Sequence, residues 1–296
     1  MKLLNFIQDG QSRLGIRTEQ GVIDVGAAAS QLARTDVPAT ITDAIEGGET
    51  ALSSLQALVD ALPETGAFLL DEAGLQWGSC VTSPNKIICI GLNYRKHAEE
   101  TNAPIPEYPI IFNKFNNTIT SHQADIAVPK VTEKLDYEAE LTIVIGKKAK
   151  DVSEEDALDY VFGYCNVNDL SARDLQLRTQ QWLLGKTCDD FSPLGPYLVT
   201  KDEVGNPNEL EIRAIVNGEV RQNSNTSDMI FSCAEIISYL SKHMTLVPGD
   251  IILTGTPEGV VLGYPPEKQV YLQPGDEVTI EIEKLGSLTN KFVAEA

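Results

Sequence analysis

The chain has 296 residues, 42% of them hydrophobic, and 43 acidic against 23 basic side chains, for a formal net charge of −20. That length suits about two domains with a sizeable core, and the negative field excludes nucleic acid as an expected partner, so any anion site must supply its own positive charge. No low-complexity tract or apolar run of ~20 residues is present, and MKLLNFIQDGQSR turns polar too early for a signal peptide, so a cytoplasmic protein without membrane attachment is expected.

In chain order, LLNFIQ and LGIRTEQGVIDV read as strands joined by an Asp9-Gly10 hairpin turn. Residues 40–62 read as two helices, ITDAIEGG and ALSSLQALVDAL, with Thr40 or Thr42 and Thr50 as caps. The stretch DEAGLQWGSCVTSPNK lacks periodicity, which divides the chain into a small N-terminal domain, 1–78, and a larger domain, 79–296. Strands are then expected at KIICIG, YPIIFNK, ELTIVIGK, VFGYCNVND, ELEIRAIVNGEVRQ with an Asn217-Gly218 turn, DIILTG and a final hairpin in EVTIEIEKLGSLTNKF. Only EEDALDYV and FSCAEIISYLSKHM read as clear helices in this part, and Ser171 is expected to cap another. The fold class is therefore α+β, mainly β. Five scattered cysteines without a CxxC pair suit a reducing compartment, as small core residues, with Cys165 and Cys188 close in sequence to the motifs described next.

Glu138 and Glu140 lie two apart in a strand-like run and so project to one face, and Asp169 ends the next apolar run. Two readings fit: the solvated face of a half-buried sheet, or a metal site whose oxygen donors suit Mg²⁺, Mn²⁺ or Ca²⁺ better than zinc. Neither His122 nor His243 has a zinc-motif context. His97 and Glu100 share a face if their segment is helical, which makes either a general base held by a carboxylate or an exposed histidine among charged neighbours. Lys186, between glycine and threonine, is either a surface turn lysine or a partner for developing negative charge. Thr254-Gly255-Thr256-Pro257-Glu258-Gly259 is either a plain turn or a nest of backbone N–H groups for an anion.

GLNYRKHAEE, LDYEAELTIVIGK, NDLSARDLQ, GKTCDDFSPLGP and ILTGTPEGV, in this order from about residue 84 onward, together resemble the fumarylacetoacetate hydrolase family. The resemblance implies a mixed β-roll catalytic domain preceded by a small α/β domain, a homodimer, and a divalent ion, Mg²⁺ or Mn²⁺, on Glu138, Glu140 and Asp169. It also implies that His97 and Glu100 activate water, that Lys186 faces the substrate, and that Gln176, Gly255 and Thr256 contact it, whereas Arg173 and Arg178 read as helix-surface charges. The distal pocket is expected near residues 98–109 and Trp182; Val261 departs from the glycine many relatives carry. The activity implied is carbon-carbon bond hydrolysis in a fumarylacetoacetate- or acylpyruvate-type diketo acid. The alternatives are oxaloacetate decarboxylation, or isomerisation or decarboxylation of an unsaturated 2-oxo dicarboxylic acid, and, more remotely, a non-catalytic protein that binds a metal or a 2-oxo acid.

Overall fold

LLNFIQ carries apolar residues on both faces and is buried from Leu3 to Phe6, and with Asp9 and Gly10 both left-handed at the turn (φ 51° and 73°) it forms the opening hairpin of the computed structural model, which describes residues 1–296. Strands β1 (Lys2–Gln8), β2 (Gln11–Thr18) and β3 (Gly21–Asp24) precede helices α1 (Val25–Gln31) and α2 (Ile41–Ala61). Within α2 the two helices expected over 40–62 are both present, parted at Gly48, whose φ of 53° is non-helical, and Thr40 caps the first through a reciprocal capping box with Asp43. Short strands β4 (Leu69–Leu70) and β5 (Gln76–Gly78) follow.

Beyond them run β6 (Ile87–Gly91), α3 (Arg95–Glu100), β7 (Ile110–Lys114), β8 (Ile119–Ser121), β9 (Asp125–Val128), β10 (Leu135–Asp136), β11 (Ala139–Ile145) and β12 (Val161–Asn168). Next come β13 (Ser171–Ala172), α4 (Arg173–Gln176), α5 (Leu183–Lys186), β14 (Ser192–Thr200) and α6 (Lys201–Val204). The hairpin of β15 (Glu211–Val216) and β16 (Glu219–Asn225), then α7 (Cys233–His243), β17 (Ile251–Leu253), β18 (Glu277–Ile282) and β19 (Gly286–Ala294) complete the chain.

Three local expectations are corrected. EEDALDYV yields only a 3₁₀ turn, Ala157–Tyr160, because Val161 already enters β12. Ser171 does not cap α4: its hydroxyl donates to the Asp169 carbonyl at 2.9 Å, and Ala172 takes the cap position without a side-chain bond. Strand β14 escaped the sequence reading because Pro193 and Pro196 argue against a central strand. The ladder accommodates them by a shift: Tyr164 pairs with Val199, but Asn166 pairs with Gly195.

A twelve-stranded sheet runs β4-β3-β2-β1-β14-β12-β11-β17-β6-β7, with β5 also on β1 and β8 on β14; a five-stranded sheet runs β16-β15-β18-β19-β9. The fold is thus mixed α/β and mainly β. One core joins β6, β11 and β12 to β15, β18, β19 and α7; a second joins further residues of β6, β11 and β12, with β14 and β17, to α1 and α2. Strand β11 is buried along its whole length, with Leu141, Ile143 and Ile145 in the first core and Val144 in the second, which explains the uninterrupted apolar run LTIVI. Residues 1–78 extend the same sheet through Lys2↔Val199 and Leu3↔Leu198. Their helices pack against Val144, Phe162 and Leu198 from beyond residue 78. No helix is long and apolar enough to cross a membrane.

Candidate active site

Strand register assembles the three carboxylates. Ala139 pairs with Asn168, so Asp169, one step past the end of β12, falls beside Glu138, and the Asp169 N–H donates to the Glu138 carbonyl at 2.9 Å. Asn168 Oδ1 accepts the Glu138 N–H at 2.9 Å. On the other side β17 lies against β11, and the chain leaving it brings the Gly255 N–H to Glu140 Oε2 at 2.8 Å. Oxygens of Glu138, Glu140 and Asp169 lie within 4.8 Å of one another, and all three residues are buried. They are not the solvated face of a sheet.

Three buried cations surround them. Lys186 Nζ donates to Glu138 at 2.5 Å and Asp169 at 2.9 Å. Lys114 Nζ donates to the other Asp169 oxygen and to the Phe191 carbonyl. Arg173 donates to Glu138 at 2.7 Å, Asp136 at 2.8 Å and Gln176 Oε1 at 3.0 Å. Burial alone would favour a neutral Glu138, but Arg173 and Lys186 outweigh it and hold this carboxyl well below its ordinary range. Glu140 behaves oppositely: burial, reinforced by the Asp169 and Glu138 charges, pushes it well above its ordinary value. A divalent cation among the three oxygens would relieve that repulsion. The all-oxygen donor set and the uncompensated Glu140 therefore fit Mg²⁺ or Mn²⁺.

Helix α3 forms directly after β6 and sets His97 and Glu100 on one face, with Nδ1 donating to Oε1 at 2.7 Å. The expected pairing is present, and His97 is buried. Since Nδ1 is engaged, Nε2 is the nitrogen left for proton transfer. Glu100 is held in turn by the Gly259 N–H at 2.9 Å.

His97, Glu138, Glu140, Arg173, Gln176, Lys186 and Thr256 line one cleft of about 260 Å³, at the small end of ligand sites. Its outer wall includes Thr101, Ala103 and Trp182, as the sequence suggested, and Trp182 meets Phe112 edge-on at 5.4 Å. Among the loop residues, Thr256 faces the cleft and its hydroxyl accepts from Gln222 at 2.9 Å, leaving its own proton free to donate. The Gly255 N–H is committed to Glu140 Oε2 and so fixes the orientation of that carboxylate. Its φ of 95° and the 2.7 Å that a Cβ would leave to Asn93 Cβ explain the glycine.

The sequence reading missed Arg173, Asp136 and Lys114. Arg173 was read as a surface charge because a four-residue helix has too little periodicity to reveal a buried face. Asp136 had a signal, since it continues the alternation of Glu138 and Glu140. It accepts from Arg173 and from the N–H groups of Val261 and Leu262 at 2.8 and 3.0 Å. Lys114 ends its strand with no local cue.

The Fumarylacetoacetate (FAA) hydrolase C-terminal family model matches residues 86–293. The mitochondrial oxaloacetate tautomerase of Xenopus laevis is 44% identical, covering 99% of this chain and 90% of that protein. Among solved structures, fumarylacetoacetate hydrolase from psychrophilic Exiguobacterium antarcticum has a TM-score of 0.85 at 33% identity, with full coverage of both chains. Maleylpyruvate hydrolase from Sphingobium sp. SYK-6, in complex with manganese(II) and pyruvate, has a TM-score of 0.81 at 28% identity, again with full coverage of both. With the family model spanning most of its length and the buried carboxylate triad in place, the chain belongs to the fumarylacetoacetate hydrolase family.

Proposed function

We propose that this enzyme interconverts the keto and enol forms of a short 2-oxo dicarboxylic acid such as oxaloacetate. The observation that carries the reading is one small cleft lined by a carboxylate-held imidazole, a buried lysine and two of three convergent carboxylates, Glu138 and Glu140, with Asp169 behind them. The similarity to an oxaloacetate tautomerase over nearly the whole chain supports it over the carbon-carbon hydrolysis first expected.

Glu138, Glu140 and Asp169 would hold Mg²⁺ or Mn²⁺, which when bound supplies Lewis-acid polarisation of the substrate's 2-oxo group. His97 Nε2 removes a proton from C3; the C–H electron pair becomes the C2–C3 double bond, and the carbonyl π pair moves onto the 2-oxo oxygen, which takes a proton from water while the His97 imidazolium returns its own to solvent. Glu100 fixes the ring and stabilises the imidazolium that forms. Lys186, kept protonated against burial by Asp169 and Glu138, balances charge growing on that oxygen. Arg173 engages Gln176 Oε1, which leaves the Gln176 amide nitrogen, with the Thr256 hydroxyl, to bind substrate oxygens.

Carbon-carbon bond hydrolysis is the second reading, in which the same imidazole activates water. It draws on the likeness to a maleylpyruvate hydrolase. The deciding experiment follows enol and keto absorbance of oxaloacetate with and without Mn²⁺, alongside cleavage of acetylpyruvate and fumarylacetoacetate and carbon dioxide release from oxaloacetate. Metal-dependent interconversion without cleavage supports the tautomerase; metal-dependent release of two acids from a diketo substrate, without interconversion, overturns it. A homodimer is proposed as well, to be checked by light scattering. The five free cysteines fit a reducing interior, whether cytoplasmic or mitochondrial as for the Xenopus relative.

A further inference from the structure

We infer that Gly263 is a positioning residue for the His97–Glu100 pair, with the 259–263 loop registering that pair against the carboxylate triad; this rests on the proton-transfer reading above. The loop reaches the pair directly and the triad by way of Asp136. Gly259 donates to Glu100 Oε2 at 2.9 Å, while Val261 and Leu262 donate to Asp136, which also accepts from Arg173, and Arg173 in turn holds Glu138. Glu100 thus sits between the imidazole and this loop.

The two glycines of the loop are glycine for different reasons. Gly259 has φ 100°, and a Cβ there would lie 2.2 Å from the Arg221 carbonyl oxygen, so the fold itself demands it. Gly263 has no left-handed φ and lies in an ordinary 3₁₀ turn, Val261–Gly263, where alanine is conformationally acceptable. The three atoms nearest to a Cβ at Gly263 are those of the Glu100 carboxylate, 2.4 Å from Cδ and 2.5 and 2.7 Å from the two oxygens. Glu100 is the flexible end of a partly exposed side chain, so it would yield while the fold stays intact. Its displacement breaks the 2.7 Å bond to His97 Nδ1. Gly263 therefore reserves the space in which Glu100 can orient the imidazole.

The test is Gly263→Ala, Glu100→Ala and the double variant, assayed for oxaloacetate interconversion with Mn²⁺, Mn²⁺ affinity and melting temperature. We expect Gly263→Ala to fold and melt like the wild type, to keep KM and Mn²⁺ affinity, and to lose at least about tenfold in kcat. Adding it to Glu100→Ala should cost nothing further, because both act through one contact. Full kcat in Gly263→Ala while Glu100→Ala is impaired, an equal further loss in the double variant, or failure of Gly263→Ala to fold would each overturn the inference. Full activity in Glu100→Ala would instead overturn the proton-transfer reading on which it rests.

Discussion

At the β11–β12–β17 end of the large sheet, Asp136, Glu138 and Asp169 are buried with Lys114, Arg173 and Lys186 in one bonded cluster, and Glu140 is buried beside it without a cationic partner. At the β1–β3 end the same kind of ladder buries Leu3, Leu4, Phe6, Leu14 and Ile16 and leaves ion pairs such as Arg17–Glu72 and Arg34–Asp36 partly in solvent. Removing a charge from water costs several kcal/mol even when it is paired, so a stable sheet is more easily built in the second way. On the proposed function the charged end is kept for chemistry, since even its internal pairing leaves Glu140 without a cationic partner and pushed above its ordinary value. On this view, damage at one end should remove activity and damage at the other should remove stability alone.

The sharpest break would come from Asp169→Ala. It should reduce turnover below detection and also remove the rise in melting temperature on adding Mn²⁺, because a ligand that binds the native state stabilises it by mass action. If Mn²⁺ still raises the melting temperature by the wild-type amount, Asp169 is not a metal ligand. His97→Ala should be milder, lowering turnover ~10²- to 10⁴-fold while Mn²⁺ affinity, measured by titration calorimetry, is unchanged.

A matched pair of substitutions then separates the ends. Arg173→Met leaves the buried Asp136 and Glu138 without their shared partner and should cost about 3–5 kcal/mol together with activity. Leu55→Ala, in the fully buried core beneath α2, should cost about 2–5 kcal/mol in urea denaturation with kcat per folded molecule unchanged. Loss of kcat in the second variant would mean that the two ends are coupled.

The smallest expected effect lies at the seam between them. His122, packed edge-on against Trp77 at 4.9 Å and accepting the Thr289 N–H at Nδ1, is driven by burial from about 6.5 to about 4. A folded value below the unfolded one means that the unfolded chain takes up the proton first as pH falls. The stability His122 contributes is thus complete above about pH 6.5 and is lost as pH falls toward 4. His122→Asn should flatten melting temperature against pH in that window relative to wild type; parallel curves would remove His122 from the account.

Local periodicity carried most of what could be read from the chain. β-Branched apolar runs and, near the end of the chain, two-residue alternation revealed the strands, the two-residue spacing of Glu138 and Glu140 their convergence, the three-residue spacing in α3 the pairing of His97 with Glu100, and Asp9-Gly10 and Asn217-Gly218 the hairpins, because each depends only on neighbours in sequence. Ordering Asp169 beside Glu138 needed the β11–β12 register, although two strand ends carrying carboxylates hinted at it.

What lay beyond local pattern was decided by pairing between distant segments. Arg173 became a buried anchor because β10 and β13 set Asp136 opposite Ser171. Lys114 reached Asp169 from 55 residues away, and Gly255 turned its N–H to the Glu140 carboxylate. Strand β14 formed despite its prolines because flanking strands, β1 among them, supplied partners. The sequence by itself determined which residues could carry charge, bend or pair with a near neighbour. Only the tertiary structure decided which of those charges lost their water, and that loss of solvent is what turns a carboxylate, an imidazole or an ammonium into part of a site.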